Sequence, residues 1–352
     1  MSSEKFHYSL SCPLPQLDFD RIVLGHGSGG LLSKRLIDKV IRPALGDTIV
    51  SEWHDGALLN TTGKLAFSSD SYVVSPIFFP GGNIGDLAIH GTVNDLAMCG
   101  AVAKSLSLSF ILEEGLPIAD FWEILLSIKA ACERSNVKIV TGDTKVVDRK
   151  KCDQIFISTS GIGDVHPQAD VHAKNIRAGD KIIVSGNIAS HGIAVMSVRQ
   201  GLEFETQVIS DTAPLHSAVN KLLDAFGNKI HFLRDPTRGG VATVLNEAAL
   251  DAKLSMEIFE KDIPVLNEVN GACELLGLDP LHVANEGIFI AIVDPSIADD
   301  AVKVLKADPL CSDATFIGEV MSRNPPQLIC HSSIGGKRVV PMLLGEQLPR
   351  IC

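Results

Sequence analysis

A chain of 352 residues is long enough for two ordinary domains, and 45% hydrophobic content supplies sizeable cores. Its formal net charge of −11 and pI near 5.4, with no basic block, exclude nucleic acid and an anionic membrane surface as expected partners. A phosphate ligand would need metal ions and a few local cations to neutralise it. No continuous apolar run of about 18 residues predicts a membrane span. The first residues lack a basic start followed by an apolar stretch, so no signal peptide is expected. The eight cysteines form no C-x-x-C pair, which disfavours a zinc site or disulfide framework and predicts a cytoplasmic protein.

In chain order, residues 1–20 are polar and proline-containing and read as a loose arm. The first α/β region follows, with a strand at Leu65–Ser69, a helix at Ile84–Cys99 and a strand at Ser105–Leu112. A second helix spans Ile118–Arg134, where Phe121, Leu125, Ile128 and Cys132 keep a 3.6-residue period. Val137–Val140 and Ile155–Thr159 read as buried strands. The pattern lapses into charge, Pro and Gly around His166–Gly179, which predicts a domain boundary. A second α/β region has strands at Lys181–Ser185, Gly287–Val293 and Thr315–Val320. Its helices are expected at Leu215–Phe226, Val241–Ala252 and Ile297–Ala307. Gln327–His331 and Lys337–Met342 predict a hairpin around Gly335-Gly336, and a short tail runs to Cys352. No short-period repeat or low-complexity segment is present.

Four acidic positions in the first region stand out: Asp55, Asp70, Asp95 and Asp143. Asp70 and Asp143 each follow an apolar strand, where ligand sites of α/β sheets usually open. Asp95 shares the apolar face of its helix, and a carboxylate there needs a partner such as magnesium bound to a triphosphate. Each Asp read alone is equally a cap or turn residue. Lys145 lies two residues past Asp143 and could stabilise a transferring phosphoryl group. Gly25-His26-Gly27-Ser28-Gly29-Gly30 could bring backbone amides to phosphates, although a glycine-rich hinge explains it as well; it is neither a Walker loop nor a Rossmann fingerprint. Arg234-Asp235-Pro236-Thr237-Arg238-Gly239-Gly240 leads into a helix whose N-terminus could hold an anion. Glu286 precedes an apolar strand and could orient or deprotonate a substrate amide, although a strand-edge Glu with no function explains it equally. Cys352 is a thiol on a segment that can carry a covalently attached group.

GHGSGG, NDLAMCGA, TGDTKVV, RDPTRGG, ANEG and PRIC, in this order, resemble the HypE family of hydrogenase maturation factors, from about Leu24 to Cys352. NDLAMCGA and TGDTK alone point only to the wider superfamily of aminoimidazole ribonucleotide synthetase, selenophosphate synthetase and thiamine-monophosphate kinase. RDPTRGG with PRIC makes the match specific. The resemblance implies a two-domain α/β (α+β) fold like that of aminoimidazole ribonucleotide synthetase. An N-terminal domain (21–165) would bind ATP and pair into a dimeric barrel, followed by a C-terminal domain (175–343) and a mobile tail (344–352). It implies Mg2+ and ATP as cofactors, with Asp55, Asp70, Asp95 and Asp143 on the metal. Gly27, Ser28, Gly29, Gly30, Asn94, Gly142, Asp143, Thr144, Arg234 and Asp235 are expected around the nucleotide. It further implies ATP-dependent dehydration of a thiocarbamate on Cys352 to a thiocyanate, with Lys145 and Glu286 assisting, to supply cyanide for [NiFe]-hydrogenase. The implied partners are a second copy of the chain, the carbamoyltransferase HypF and an iron-carrying HypC–HypD scaffold. The competing readings are another synthetase or kinase of the superfamily, and a non-catalytic ATP-binding carrier.

Overall fold

The computed structural model describes residues 19–28, 31–49, 59–60, 63–201, 207–323 and 325–342. Gly29, Gly30, Asp55 and Cys352 lie outside the described residues. Two mixed layers dominate. In the first, helical turns α1 (Leu31–Leu36) and α2 (Arg42–Leu45), joined by a wider π turn, precede β1 (Leu65–Tyr72). A small β2–β3 ribbon (Phe78–Phe79, Gly82–Asn83) then leads into α3 (Ile84–Met98). β4 (Ala101–Glu113), α4 (Ile118–Ser135), β5 (Lys138–Val147) and β6 (Ile155–Val165) complete this half. Its four-stranded sheet has the order β1-β6-β4-β5, with β4 and β5 parallel and the other pairs antiparallel.

Helix formation follows from local chemistry. Asn83 and Asp86 form a reciprocal cap on α3: the Gly85 N–H donates to Asn83 Oδ1 at 2.7 Å and the Asn83 N–H to Asp86 Oδ2 at 3.1 Å. The α4 helix buries Phe121, Ile124, Leu125 and Ile128 at helical spacing and ends where Asn136 turns left-handed at φ 51°. Both helices cover one face of the sheet. The opposite face is open, and Phe67 on it is 68% exposed.

The second half carries β7 (Lys181–Val184), α5 (Ser190–Gln200), α6 (His216–Phe226), β8 (Ile230–Arg234), α7 (Gly240–Ala252) and β9 (Ser255–Phe259). It continues with α8 (Asn267–Leu276), β10 (Ile290–Val293), α9 (Ala298–Lys306), β11 (Thr315–Met321), β12 (Leu328–His331) and β13 (Lys337–Val339). The seven-stranded sheet runs β13-β12-β9-β11-β7-β10-β8. Both of its faces are covered. Ile182 and Val184 point to one core with Val241 and Leu245 of α7, while Ile183 points to the other with Leu222 of α6 and Leu305 of α9.

Most expected elements are present, including the last hairpin around Gly335 at φ 95°. The strands β8 and β9 and the helices α5 and α8 were not anticipated. α5 starts at a left-handed Ala189, at φ 74°, with no side chain capping it, so the usual start signal is missing. β1 and β5 run through Asp70 and Asp143 instead of ending before them. Their polar residues sit on a sheet with one open face, so an apolar run marks only part of each strand.

The two halves share their cores. Ala97 and Met98, at the end of α3, pack in the second half among Leu222 and Leu223. In return Val195 of α5 and Ala284 pack in the first half.

Candidate active site

The sheet's alternation decides which acidic residues meet. On β1, Ala66, Ser68, Asp70 and Tyr72 are turned towards α3, while Leu65, Phe67, Ser69 and Ser71 are exposed on the open face. Every residue of α3 except Asp95 is buried. The helix has no polar face, so sharing an apolar stripe does not set Asp95 apart; it is instead the residue of α3 that reaches a cleft. There the Ser68 hydroxyl donates to Asp95 Oδ2 at 2.6 Å. The cleft is lined by Asp70, Ser71, Tyr72, Gly91 and Asp95 from the first half and by Asp235, Thr237, Arg238 and Glu286 from the second. Gly91 is required here, because a Cβ on it would stand 2.3 Å from the Tyr72 hydroxyl.

Two carboxyls of this cleft, Asp95 and Asp235, disfavour their own charge. Burial raises Asp95 above its ordinary value, the Asp70 charge adds to the effect, and Ser68, Arg234 and Arg238 oppose it. Burial and then the Asp95 charge push Asp235 up to about 7. Tyr72 is raised well above its usual range by burial and by the charge of Asp70. A cation would relieve this repulsion. Among the described residues no group of three or more His, Cys, Asp or Glu is close enough to hold a metal ion alone. The set therefore suits magnesium that takes one or two carboxylates and completes its shell with phosphate oxygens.

The second-half residues reach the cleft from two loops stitched together. Asn285 donates through its side chain to the Pro236 carbonyl at 2.8 Å and through its N–H to the same oxygen at 3.1 Å. Gly240 turns left-handed at φ 60° to start α7, and a Cβ there would stand 2.6 Å from the carbonyls of Leu281 and Val283. Arg234 pairs with Glu247 of α7 at 3.2 Å, so its guanidinium is partly neutralised beside the cleft. Arg238 and the N-terminus of α7 supply the cationic side that an anion needs.

Other expected site residues form a second group. Asp70, Thr159, Leu108 and Gly142 lie on one row across β1-β6-β4-β5. Asp143 pairs with Ser109 and Lys145 with Ile111, so both share the open face, whereas Asp70 shares the helix-covered face with Leu108 and Thr159. Asp143 and Asp70 thus sit on opposite faces and opposite edges, three strand spacings or roughly 14 Å apart. Within one chain Asp143 cannot join Asp70 and Asp95 on one metal ion. Lys145 Nζ instead lies 2.8 Å from Asp143 Oδ2, and their hydrogen bond holds the Asp143 carboxyl below its ordinary value. Thr144 donates its N–H to Asp143 Oδ1 at 2.8 Å. Gly142 lets β5 approach β4, since a Cβ would stand 2.1 Å from the Leu108 carbonyl. Gly27 likewise backs onto Val146, and Ser28 donates to the Gly25 carbonyl at 3.0 Å, so the glycine-rich segment belongs to this edge. His26 is buried, accepts from the Val23 N–H at 3.2 Å, and is lowered by burial; it serves the turn.

Asn94, expected at the nucleotide, is buried and turned to the second half. Its amide donates to the carbonyls of Ala213 at 3.0 Å and Glu286 at 3.2 Å, and accepts from the Leu215 N–H at 2.8 Å. Sequence reasoning also missed Ser68, Tyr72 and Asp211. Asp211 gave no signal beyond an acidic residue in a loop.

Comparison with known proteins agrees with this architecture. Residues 53–165 match the AIR synthase related protein, N-terminal domain, and 177–331 the C-terminal domain of the same family. The carbamoyl dehydratase HypE of Bradyrhizobium diazoefficiens is 48% identical over 330 residues, covering 94% of this chain and 95% of that protein. The chain belongs to the HypE family. A crystal structure of the hydrogenase maturation protein HypE in complex with ATP superimposes with a TM-score of 0.90 at 45% identity, covering 94% of this chain and 99% of that one. HypE from a HypE–HypF complex superimposes with a TM-score of 0.78 at 41% identity, over 90% and 100%. Among the described residues no helix is long and apolar enough to cross a membrane.

Proposed function

We propose that this chain is an ATP-dependent carbamoyl dehydratase of hydrogenase maturation, acting on a thiocarbamate carried by Cys352. The observation that carries the reading is the cleft that brings Asp70 and Asp95 of the first half together with Asp235, Arg238 and Glu286 of the second. Its acidic wall fits magnesium and its cationic wall fits phosphate. The HypE relative with bound ATP supports a nucleotide as the phosphate ligand.

Each group then has a task. Of the carboxylates Asp70, Asp95 and Asp235, one or two would take magnesium, with Asp55 as the further candidate the family resemblance supplies. The ion would neutralise charge on the nucleotide's phosphates. Phosphorylation turns the thiocarbamate oxygen into a leaving group. The nitrogen of the O-phosphorylated group gives up one proton to form an imidate, and Glu286 takes the remaining N–H proton as the C–O bond breaks, so that phosphate leaves and the S–C≡N group forms. Arg238 and the first turn of α7 stabilise the departing phosphate. ADP and phosphate are the other products, and the cyano group is destined for iron on a HypC–HypD scaffold.

The open sheet face supports a homodimer. Leu65, Phe67, Val102 and Ile111 expose apolar surface on it next to Asp143 and Lys145. Two such faces closing into a barrel would bring the β5 edge of one subunit, with Gly27, Ser28, Thr144 and Lys145, to the nucleotide of its partner. HypF is the proposed source of the carbamoyl group, since a relative is known as a HypE–HypF complex.

Covalent reach allows Cys352 to enter the cleft. Asn246 of α7 donates to the Val340 carbonyl at 2.9 Å, and His282 Nε2 lies 3.1 Å from the Pro341 carbonyl. Asn246 lies six residues beyond Gly240, about 9 Å along α7 from the turn that borders the cleft. Residues 343–352 can extend about 33 Å.

The test is the intact mass of the chain after incubation with HypF and carbamoyl phosphate, before and after MgATP. A carbamoyl adduct that loses one water only with ATP, and never forms on Cys352→Ala, is the expected result. An adduct that stays hydrated would make the protein a carrier. No adduct with competent HypF would return it to the other synthetases and kinases of the superfamily.

A further inference from the structure

Glu286 is gripped through its own main chain from two sides. Asp211 Oδ2 accepts from the Glu286 N–H at 3.1 Å and the Gly287 N–H at 2.9 Å. Those are the two peptide units that flank the Glu286 Cα. Asn94 donates to the carbonyl of the second unit at 3.2 Å. Asp211 belongs to a strap, residues 207–215, that crosses the seam between the halves. Along it the Ser210 N–H donates to the Pro80 carbonyl at 2.9 Å, and the Thr212 hydroxyl lies 3.1 Å from His90 Nδ1. The strap and the Glu286 loop touch backbone to backbone, since a Cβ on Gly287 would stand 1.6 Å from the Asp211 carbonyl oxygen.

Asp211 is not among the residues that line the cleft. We propose that Asp211 is a positioning residue for the dehydration, fixing both peptide units around Glu286 and so the point at which that carboxylate meets the carbamoyl N–H. An ionised acceptor holds two N–H groups more tightly than a neutral one. Burial pushes its carboxyl up to about 6, against the main-chain N–H groups that favour its charged form. This role rests on Glu286 being the base.

The experiment uses full-length chain carbamoylated on Cys352 by HypF and carbamoyl phosphate, and follows single-turnover loss of water by intact mass over a range of MgATP. Asp211→Asn is expected to slow the step at saturating MgATP about 10- to 100-fold, as a small misplacement of a reacting group does. Half-saturation by MgATP should stay within about twofold. The double variant Glu286→Gln/Asp211→Asn should be no slower than Glu286→Gln alone. If Asp211→Asn does not melt cooperatively, Asp211→Ser takes its place in every arm. An unchanged rate, a parallel loss of MgATP affinity, or multiplicative slowing in the double variant would overturn the role of Asp211 while leaving Glu286 as base. A Glu286→Gln variant that turns over at the wild-type rate would remove Glu286 as base and this inference with it.

Discussion

Asn94 and Glu286 are joined across the seam of the molecule, side-chain amide to main-chain carbonyl, at 3.2 Å. The next residue along the same helix is Asp95, which faces the cleft. One turn of α3 therefore presents a metal-ligand candidate and sets the distance to the proposed base.

Asn94→Ala leaves the carbonyls of Ala213 and Glu286 and the N–H of Leu215 without this partner in a buried place. Each unsatisfied group costs about 1–3 kcal/mol. The expected result is an unfolding free energy lower by a few kcal/mol, read as a lower denaturant midpoint at unchanged slope. An unchanged midpoint would mean that the clasp does not contribute to stability.

Asp95→Asn should weaken magnesium-dependent ATP turnover. Loss of a metal-binding carboxylate is expected to raise the magnesium needed for half-maximal turnover at least about tenfold. A magnesium titration of ADP release measures this. Wild-type behaviour in the titration would take Asp95 out of the metal site.

Phe67→Glu places a charge on the exposed apolar face of the first sheet. If two such faces pair, burial of that carboxylate is unfavourable and the dimer should give way to a monomer at micromolar concentrations. Sedimentation velocity distinguishes the two, and a dimer that survives the change would locate the subunit contact elsewhere.

Asp211 carries a pH signature. Its folded-state value of about 6 lies above the ordinary 3.8, so its contribution to stability is fully present below about 3.8 and is lost as pH rises through 6. Asp211→Asn cannot titrate there. Relative to that variant, the wild type should lose on the order of 2–3 kcal/mol between pH 4 and pH 7. Parallel stability curves for the two proteins would show that Asp211 is charged in the fold throughout this range.

The long periodic elements were legible. Strong helical spacing marks α4, and the apolar composition of α3 and of β7 and β10 is enough to place them. The motif residues Asp70, Asp95, Asp235 and Glu286 do converge on one cleft. Asp143 is a different case. Its distance from Asp70 depends on strand order, and its face depends on a register shift between Leu106 and Ser107 in the pairing of β4 with β5. Neither is written in the local sequence. Asn94 is expected at the nucleotide only from the family resemblance; successive helix residues point about 100° apart, and that turn from Asp95 carries its amide into the seam. Asp211 had no motif around it, and its importance comes from the backbone it meets.

The shared cores have a consequence for how turnover can be gated. Ala97 and Met98 are embedded in one half, Val195 and Ala284 in the other, and Asn94 stitches the boundary. Swinging the halves apart would expose that apolar surface and strip the amide of its partners. A hinge of the domain-closure kind is thus closed off to this molecule. The proposed dehydration therefore has to admit its substrate without moving one half against the other.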